Sequence, residues 1–125
     1  MIHLDTSAMV GALAGHRPAA PVLRRWIAQG SRLGICTLVL YEWQRGPRTP
    51  EELADQDTFL PSAAAVPFGV REANAAAEIY RLVNRARQRE IDIAIAACAI
   101  VHQAALWTLN PRDFRDIPGL DVLGP

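Results

Sequence analysis

Residues 2–7 read Ile-His-Leu-Asp-Thr-Ser, a short apolar stretch that ends at an acidic residue. Residues 2–5 have the length and character of a buried strand, and Thr6 and Ser7 can cap a helix over residues 8–14. The carboxylate of Asp5 is therefore expected where the first strand ends and the first helix begins.

Strand-like and helix-like segments alternate along the rest of the chain. Further strands are predicted at residues 34–36, 64–68, 106–108 and 120–123, with a turn at 110–114. Helices are predicted from Pro18 and Pro21 to Gly30, and over residues 38–45, 51–59, 70–87 and 91–101. The helix over residues 70–87 is expected to present one apolar face made of Ala73, Ala76, Ala77, Tyr80 and Val83. This alternation predicts an α/β fold with a parallel sheet of five strands and helices on both faces.

Length and composition narrow the class of protein. A chain of 125 residues fits one compact domain, so residues 1–125 are expected to fold as a single unit. Half of the residues are hydrophobic, yet the longest apolar runs are far too short to cross a bilayer. Residues 1–5 show neither the basic nor the apolar region of a signal peptide. We therefore expect a soluble protein of the cytoplasm.

Cysteines and histidines give no sign of a catalytic or metal-binding motif. Cys36 and Cys98 lie far apart among apolar neighbours, which favours two buried free thiols over a disulfide. His3, His16 and His102 have neither HxH nor HExxH spacing, so packing or surface positions are expected for them. Catalysis based on histidine is disfavoured.

All 13 basic residues are arginine, and codon bias in a GC-rich genome is the simplest reason. The chain therefore has no lysine, which is the key residue of Schiff-base enzymes, Walker-type phosphate loops and lysine-assisted aspartyl-phosphate enzymes. These classes are disfavoured. The net charge is zero, but arginines concentrate around two acids. Those before Asp92 are Arg81, Arg85, Arg87 and Arg89, and those around Asp113 are Arg112 and Arg115. Guanidinium groups suit phosphate binding, although a solvated helix face explains Arg81 and Arg85 equally well.

Four acidic residues lie inside or against apolar runs, namely Asp5, Glu42, Asp92 and Asp113. Three of them have simple structural explanations: a helix cap for Asp5, a favourable helix dipole for Asp92 and a turn for Asp113. Glu42 is harder to explain in this way, because apolar residues flank it within one turn. Topology also places the first strand end, the turn after residue 108 and the start of the helix with Asp92 at one sheet edge, where α/β proteins bind ligands.

Like charges at the edge of a core need compensation, and a divalent cation supplies it most simply. Hydroxyl and amide groups of Thr6, Ser7, Thr108 and Asn110 accompany the acids and can orient carboxylates or water. Such oxygen-rich sites suit Mg²⁺ or Mn²⁺, with substrate phosphate oxygens completing the coordination. The sequence therefore predicts a metal-dependent acidic site.

With these motifs the chain resembles the PIN-domain ribonucleases, and among them the VapC toxins of bacterial toxin–antitoxin pairs. The resemblance rests on residues 2–7, Glu42, residues 92–97 and residues 108–114, which read Thr-Leu-Asn-Pro-Arg-Asp-Phe. It implies a PIN-like three-layer sandwich and endoribonuclease activity that depends on Mg²⁺ or Mn²⁺ and uses no organic cofactor. It also implies a homodimer, a VapB-like antitoxin and metal binding and catalysis by Asp5, Glu42, Asp92 and Asp113.

Two other functions share parts of this pattern. An aspartyl-phosphate hydrolase or receiver domain would also place an aspartate after a buried strand, but the chain has no lysine and no second aspartate two residues from Asp5. The other alternative is a PIN-like module that binds RNA or a partner protein without cleaving RNA. The presence of all four acids argues against it.

Overall fold

The computed structural model describes residues 1–15 and 19–125, so His16 and the predicted helix start at Pro18 lie outside the described residues. Within the described residues the sheet has four parallel strands, β1 (Ile2–Leu4), β2 (Leu33–Gly34), β3 (Ala105–Trp107) and β4 (Val122–Leu123), in the order β2-β1-β3-β4. The helices described are α1 (Thr6–Leu13), α2 (Ala19–Ala28), α3 (Thr37–Arg45), α4 (Pro50–Phe59), α5 (Val70–Leu82) and α6 (Glu90–Val101). The predicted α/β fold with a parallel sheet is confirmed.

The predicted strand at residues 64–68 is reduced to one bridge. Val66 pairs with Cys36 in parallel, through hydrogen bonds from Thr37 N to Val66 O and from Val66 N to Ile35 O, each 2.8 Å long. The partner segment enters helix α3 at Thr37, and Phe68 N donates to the Thr37 side chain, 3.3 Å from Oγ1, and not to a backbone carbonyl, so the ladder does not continue. The sheet of the described residues is therefore one strand smaller than predicted.

Helix α5 is shorter than the predicted helix over residues 70–87. It ends at Leu82, after which Arg85 adopts a left-handed conformation with φ of 53°. Ala86–Gln88 then forms a 3₁₀ turn that leads into α6. Arg85, Arg87 and Arg89 therefore lie in the connection between α5 and α6, whereas Arg81 stays in the last turn of α5.

The buried face of α5 also differs from the prediction. Glu72 and Ile79 are buried, whereas Ala73, Ala77 and Tyr80 are exposed. The reason is that α5 packs chiefly along α6, which is itself buried from Ile93 to Ala99. A charged residue on the buried face could not be recognised from apolar periodicity alone.

Helix α6 runs through the centre of the core and confirms the helix predicted over residues 91–101. Trp107 of β3 is fully buried and packs edge-on against Trp26 of α2, with ring centroids 4.5 Å apart.

Cys36 and Cys98 are both buried and unoxidised, as predicted. The part of the chain that the structure describes contains no helix long and apolar enough to cross a membrane.

A polar cluster lies at the C-terminal end of α6. His102 Nε2 lies 2.9 Å from Oε2 of Glu72, and Glu72 Oε1 accepts a hydrogen bond of 3.1 Å from Gly69 N. His3 of β1 is 2% exposed, with its ring centroid 6.1 Å from that of His102. Burial, and then the charge of His102, lower the pKa of His3 to about 4, so His3 is a neutral core residue at physiological pH. The predicted packing role of His3 is confirmed.

Candidate active site

A pocket of about 540 Å³ opens at the carboxyl edge of the sheet. The four acids predicted from the sequence, Asp5, Glu42, Asp92 and Asp113, all line this pocket. They come from four different parts of the chain: the end of β1, helix α3, the first turn of α6 and the turn after β3. The structure thus brings together residues that are up to 108 positions apart in the chain.

Asp5 is 4% exposed and is the N-cap residue of α1. Its Oδ1 accepts hydrogen bonds from the Ser7 hydroxyl at 2.7 Å and from Ala8 N at 2.8 Å. The cap that the sequence assigned to Thr6 or Ser7 is therefore made by Asp5, because α1 begins at Thr6, two residues earlier than predicted. Burial raises the pKa of Asp5, and the nearby carboxylate of Glu42 raises it further, while hydrogen bonds from Thr108, Ala8 and Ser7 oppose the rise.

Hydroxyl groups connect the start of α1 to the loop after β3. Ser7 Oγ lies 3.3 Å from Thr108 Oγ1 and accepts a hydrogen bond of 3.0 Å from Leu109 N. Thr108 is fully buried, and its Oγ1 accepts another hydrogen bond of 3.0 Å from Asn110 N. Two strand ends are thereby fixed to each other directly beneath the acids.

Glu42 is held from two sides. The Thr6 hydroxyl donates to its Oε1, and Arg45 Nη2 lies 3.4 Å from its Oε2. The Arg45 side chain is 58% exposed, so this ion pair contributes little to stability. Arg45 was not recognised from the sequence, although its spacing of three residues from Glu42 on one helix was a usable signal. Of the two residues next to Glu42 in the chain, Trp43 is buried but Tyr41 is exposed.

Asp92 lies among carboxylates in the first turn of α6. Burial, followed by the charges of Asp5, Asp113 and Glu42, raises the pKa of Asp92 to about 6, and the charge of Arg89 opposes the rise. At neutral pH the ionised site therefore carries uncompensated repulsion, which a bound cation would relieve.

Asp113 ends the 3₁₀ turn Pro111–Asp113, and its side chain is exposed. Phe114 and Ile117, 1% and 4% exposed, anchor the following residues in the core. In the described residues no hydrogen bond to the Asp113 carboxylate is found, so its position depends on the backbone that carries it.

The chemistry of the donor set fits Mg²⁺ or Mn²⁺. No group of three histidine, cysteine, aspartate or glutamate side chains in residues 1–15 and 19–125 encloses a position for an ion, so a closed structural metal site is not formed by these residues. Mg²⁺ needs no such cage, because it is commonly held by one or two carboxylates, water and substrate phosphate. An open pocket lined by carboxylates that repel one another matches that requirement.

Arginines flank the pocket on both sides. Arg87 and Arg89 line a groove next to Asp92, and Arg112 and Arg115 line another next to Asp113. Arg87, Arg112 and Arg115 are exposed, as is Arg85. Arg89 differs, because its guanidinium donates hydrogen bonds to Asp116 and to two backbone carbonyls.

Known proteins resemble this chain in sequence and in fold. A family profile described as PIN domain matches residues 2–120. Ribonuclease VapC19 of Mycobacterium tuberculosis is 34% identical over 122 residues, and the match covers 94% of this chain and 94% of that protein. Ribonuclease VapC1 of Rickettsia felis is 41% identical over 63 residues, which are 46% of this chain and 45% of that relative.

Solved structures show the same fold. VapBC2 from Rickettsia felis, crystallised with a DNA fragment from its promoter, contains a chain that matches with a TM-score of 0.77 at 24% identity, covering 99% of this chain and 98% of that chain. FitAcB from Neisseria gonorrhoeae matches with a TM-score of 0.71 at 20% identity, covering 100% of this chain and 98% of that chain. At these identities the likeness concerns the fold alone.

Proposed function

Because the chain belongs to the PIN-domain family, we propose that it is a divalent-metal-dependent endoribonuclease and the toxin of a type II toxin–antitoxin pair. The observation that carries the proposal is that Asp5, Glu42, Asp92 and Asp113 line one pocket at the carboxyl edge of the sheet. The named activity of VapC19, similar to this chain over almost its full length, supports the same reaction class.

In this proposal Asp5 and Asp92 hold Mg²⁺ or Mn²⁺, and Glu42 and Asp113 assist directly or through water. The ion, when bound, supplies neutralisation of charge on the scissile phosphate and activation of water. Ser7 and the N–H of Ala8 orient Asp5, and Thr6 orients Glu42. No lysine, cysteine or histidine is found among the pocket-lining residues that the structure describes, so proton transfer is assigned to carboxylates and water.

RNA is the proposed substrate, and the arginines around the pocket are proposed to hold its backbone. Arg85, Arg87 and Arg112 are exposed, so their guanidinium groups can reach phosphate oxygens. The sequence also suggested Arg89 for this rim, but the Arg89 guanidinium is already engaged within the protein. We therefore define the arginine rim as Arg85, Arg87 and Arg112.

The proposed partners are a second copy of the chain and a VapB-like antitoxin, in the cytoplasm where cellular RNA is found. VapBC2 from Rickettsia felis is a complex of this kind by its name, and its fold matches this chain. A basic side chain of the antitoxin, inserted among the four acids, would replace the cation and inhibit the site by the same electrostatics.

The experiment that tests the proposal is cleavage of purified RNA with Mg²⁺ or Mn²⁺, compared with the same reaction in excess EDTA. We expect cleavage only with the metal. Metal should also raise the free energy of unfolding, by about 2.7 kcal/mol at about 100 times its dissociation constant. Full cleavage in excess EDTA would contradict the metal dependence.

The same experiment separates the proposed enzyme from a PIN-like module that only binds RNA. Such a module would bind RNA and leave it intact with either metal present. An Asp5→Asn preparation purified in parallel controls for contaminating ribonuclease, because any cleavage that it shares with the wild type does not come from this pocket.

A further inference from the structure

Arg89 precedes α6 and makes four hydrogen bonds with one guanidinium group. Nη1 donates to Asp116 Oδ2 at 2.9 Å and Nη2 donates to Asp116 Oδ1 at 2.7 Å, which is a bidentate ion pair. Nη1 also donates to Asn84 O at 2.9 Å and Nη2 to Asp113 O at 2.8 Å. The Arg89 side chain is 18% exposed and that of Asp116 is 46% exposed, so the guanidinium group is largely covered while the ion pair itself lies at the protein surface.

These bonds join three segments of the chain that meet at the acidic pocket. Asn84 follows the end of α5, Arg89 lies three residues before Asp92, and Asp113 and Asp116 belong to the loop after β3. The backbone of Arg89 adds to the connection, because its carbonyl accepts the hydrogen bond from Ile93 N at 2.9 Å in the first turn of α6. One side chain thus fixes the distance between the backbones that carry Asp92 and Asp113.

Of the four acids, Asp113 depends most on Arg89 for its position. The Ser7 and Thr6 hydroxyls orient Asp5 and Glu42 directly. The exposed carboxylate of Asp113 has no such donor among the hydrogen bonds of the described residues, and the bond from Arg89 to its carbonyl holds its backbone instead.

We propose that Arg89, held in place by Asp116, is a positioning residue that sets Asp113 against Asp92 and thereby determines the affinity of the acidic pocket for its divalent cation. This inference rests on the proposed metal-dependent function. It assigns to Arg89 a role within the protein, in place of contact with RNA phosphate.

If Arg89 acted only through its charge, the opposite change in cation affinity would be expected. The direction of that change therefore tests the proposal. Arg89 is a positive charge near Asp92 and Asp113, so its removal would strengthen cation binding if electrostatic repulsion were its only effect. A positioning role requires that its removal weakens cation binding. A role in general stability would lower the unfolding temperature without changing the affinity of the folded protein for the ion.

The experiment is calorimetric titration of the full chain with Mn²⁺ alone, below the unfolding temperature of each variant. The variants are Arg89→Ala, Arg89→Lys, which keeps the charge but loses the bidentate geometry, and the control Arg115→Ala. Arg115 is an exposed arginine of the same loop. We expect both Arg89 variants to bind Mn²⁺ at least about 10-fold more weakly than the wild type. Arg115→Ala should stay within about threefold of the wild type.

Wild-type or tighter Mn²⁺ binding by a folded Arg89→Ala protein would overturn the proposal. If Arg89→Ala does not fold, the test uses Arg89→Lys. Wild-type Mn²⁺ affinity in Arg89→Lys would equally overturn the positioning role. Failure of the wild type itself to bind Mn²⁺ would overturn the proposed metal site, and with it this inference.

Discussion

A carboxylate lies near each end of helix α6, Glu72 of α5 beside its C-terminal end and Asp92 in its own first turn, and the fold treats the two in opposite ways. Near the C-terminal end, Glu72 is paired with His102, and its own backbone N–H, together with bonds from His102 and Gly69, lowers the pKa of the carboxyl group. Near the N-terminal end, burial and the neighbouring acids raise the pKa of Asp92 to about 6. The first acid is stabilised in its charged form and the second is destabilised.

The difference separates an acid that serves the fold from one that we propose serves a ligand. Glu72 finds its compensation in His102, a residue of the same chain. Asp92 faces Asp5, Glu42 and Asp113, so the protein leaves its charge to be compensated from outside. A divalent cation is the partner that four carboxylates at one pocket would take.

The largest expected effect follows from neutralising the acids of the pocket. Asp92→Asn and Asp5→Asn should each reduce metal-dependent RNA cleavage by roughly 10²–10³-fold, because each removes a preorganised charge. Without metal, neither variant should be less stable than the wild type, since each also removes repulsion. Rates of RNA cleavage and chemical denaturation in EDTA measure the two effects. A variant that cleaves at the wild-type rate would show that its aspartate only caps a helix.

The matched change at the other end of α6 should have the opposite profile. Glu72→Gln should lower the free energy of unfolding by about 1–3 kcal/mol, because it weakens the bonds to His102 and Gly69 inside the fold. Below the unfolding temperature, its rate of RNA cleavage with Mg²⁺ should equal that of the wild type. Loss of activity with unchanged stability would mean that the two acids do not differ as described.

The contribution of Asp92 to metal-free stability and the affinity for Mn²⁺ should change with pH in opposite directions. The pKa of Asp92 is higher in the folded protein, about 6, than its ordinary value of 3.8. The folded protein therefore binds more protons between these values, and the contribution of Asp92 to metal-free stability falls as the pH rises from about 4 to about 6. Mn²⁺ requires the ionised carboxylate, so its affinity should fall below pH 6, by up to about tenfold per pH unit.

Two titrations check this prediction. Chemical denaturation across pH 4 to 7 in EDTA, wild type against Asp92→Asn, isolates the contribution of Asp92 to stability. Calorimetry with Mn²⁺ over the same range measures the affinity. A Mn²⁺ affinity that does not change between pH 5 and 7 would contradict the raised pKa of Asp92.

The parallel α/β fold and the meeting of four acids at one sheet edge could be predicted from the sequence because both depend on local pattern. A strand that ends at Asp5 and an apolar run that begins at Asp92 can be recognised within a few residues, and the topology of parallel sheets then brings them to one edge. Local pattern failed where a single backbone feature decided the outcome. The start of α3 at Thr37 ended a ladder after one bridge, and the extended backbone of Val83 ended the helix that the apolar periodicity extended to residue 87.

Pairings between distant residues could not be predicted at all. Arg89 and Asp116 are 27 positions apart, and Glu72 and His102 are 30 apart, so no spacing rule connects either pair. Both pairs became apparent only when helix packing and the loop after β3 were in place. As a result the sequence grouped Arg89 with the exposed arginines, whereas the structure engages it within the protein.

The smallest expected effect concerns the arginine rim, which extends the comparison from the ion to the substrate. Because an acidic pocket repels RNA, Arg85, Arg87 and Arg112 should supply attraction that the pocket lacks. The triple variant Arg85/Arg87/Arg112→Ala should bind RNA more weakly in EDTA and flatten the salt dependence by up to about one unit of log–log slope per lost contact. The matched control is Arg24/Arg25/Arg32→Ala, which removes three exposed arginines of α2 and the connection after it; in the test variant, Arg87 and Arg112 line the grooves beside the pocket and Arg85 lies two residues before Arg87. Equal changes in slope for the two triple variants would mean that RNA binding depends only on the net charge of the protein. An unchanged slope in Arg85/Arg87/Arg112→Ala would show that these arginines are not part of the RNA-binding surface, and it would leave the proposed metal site unaffected.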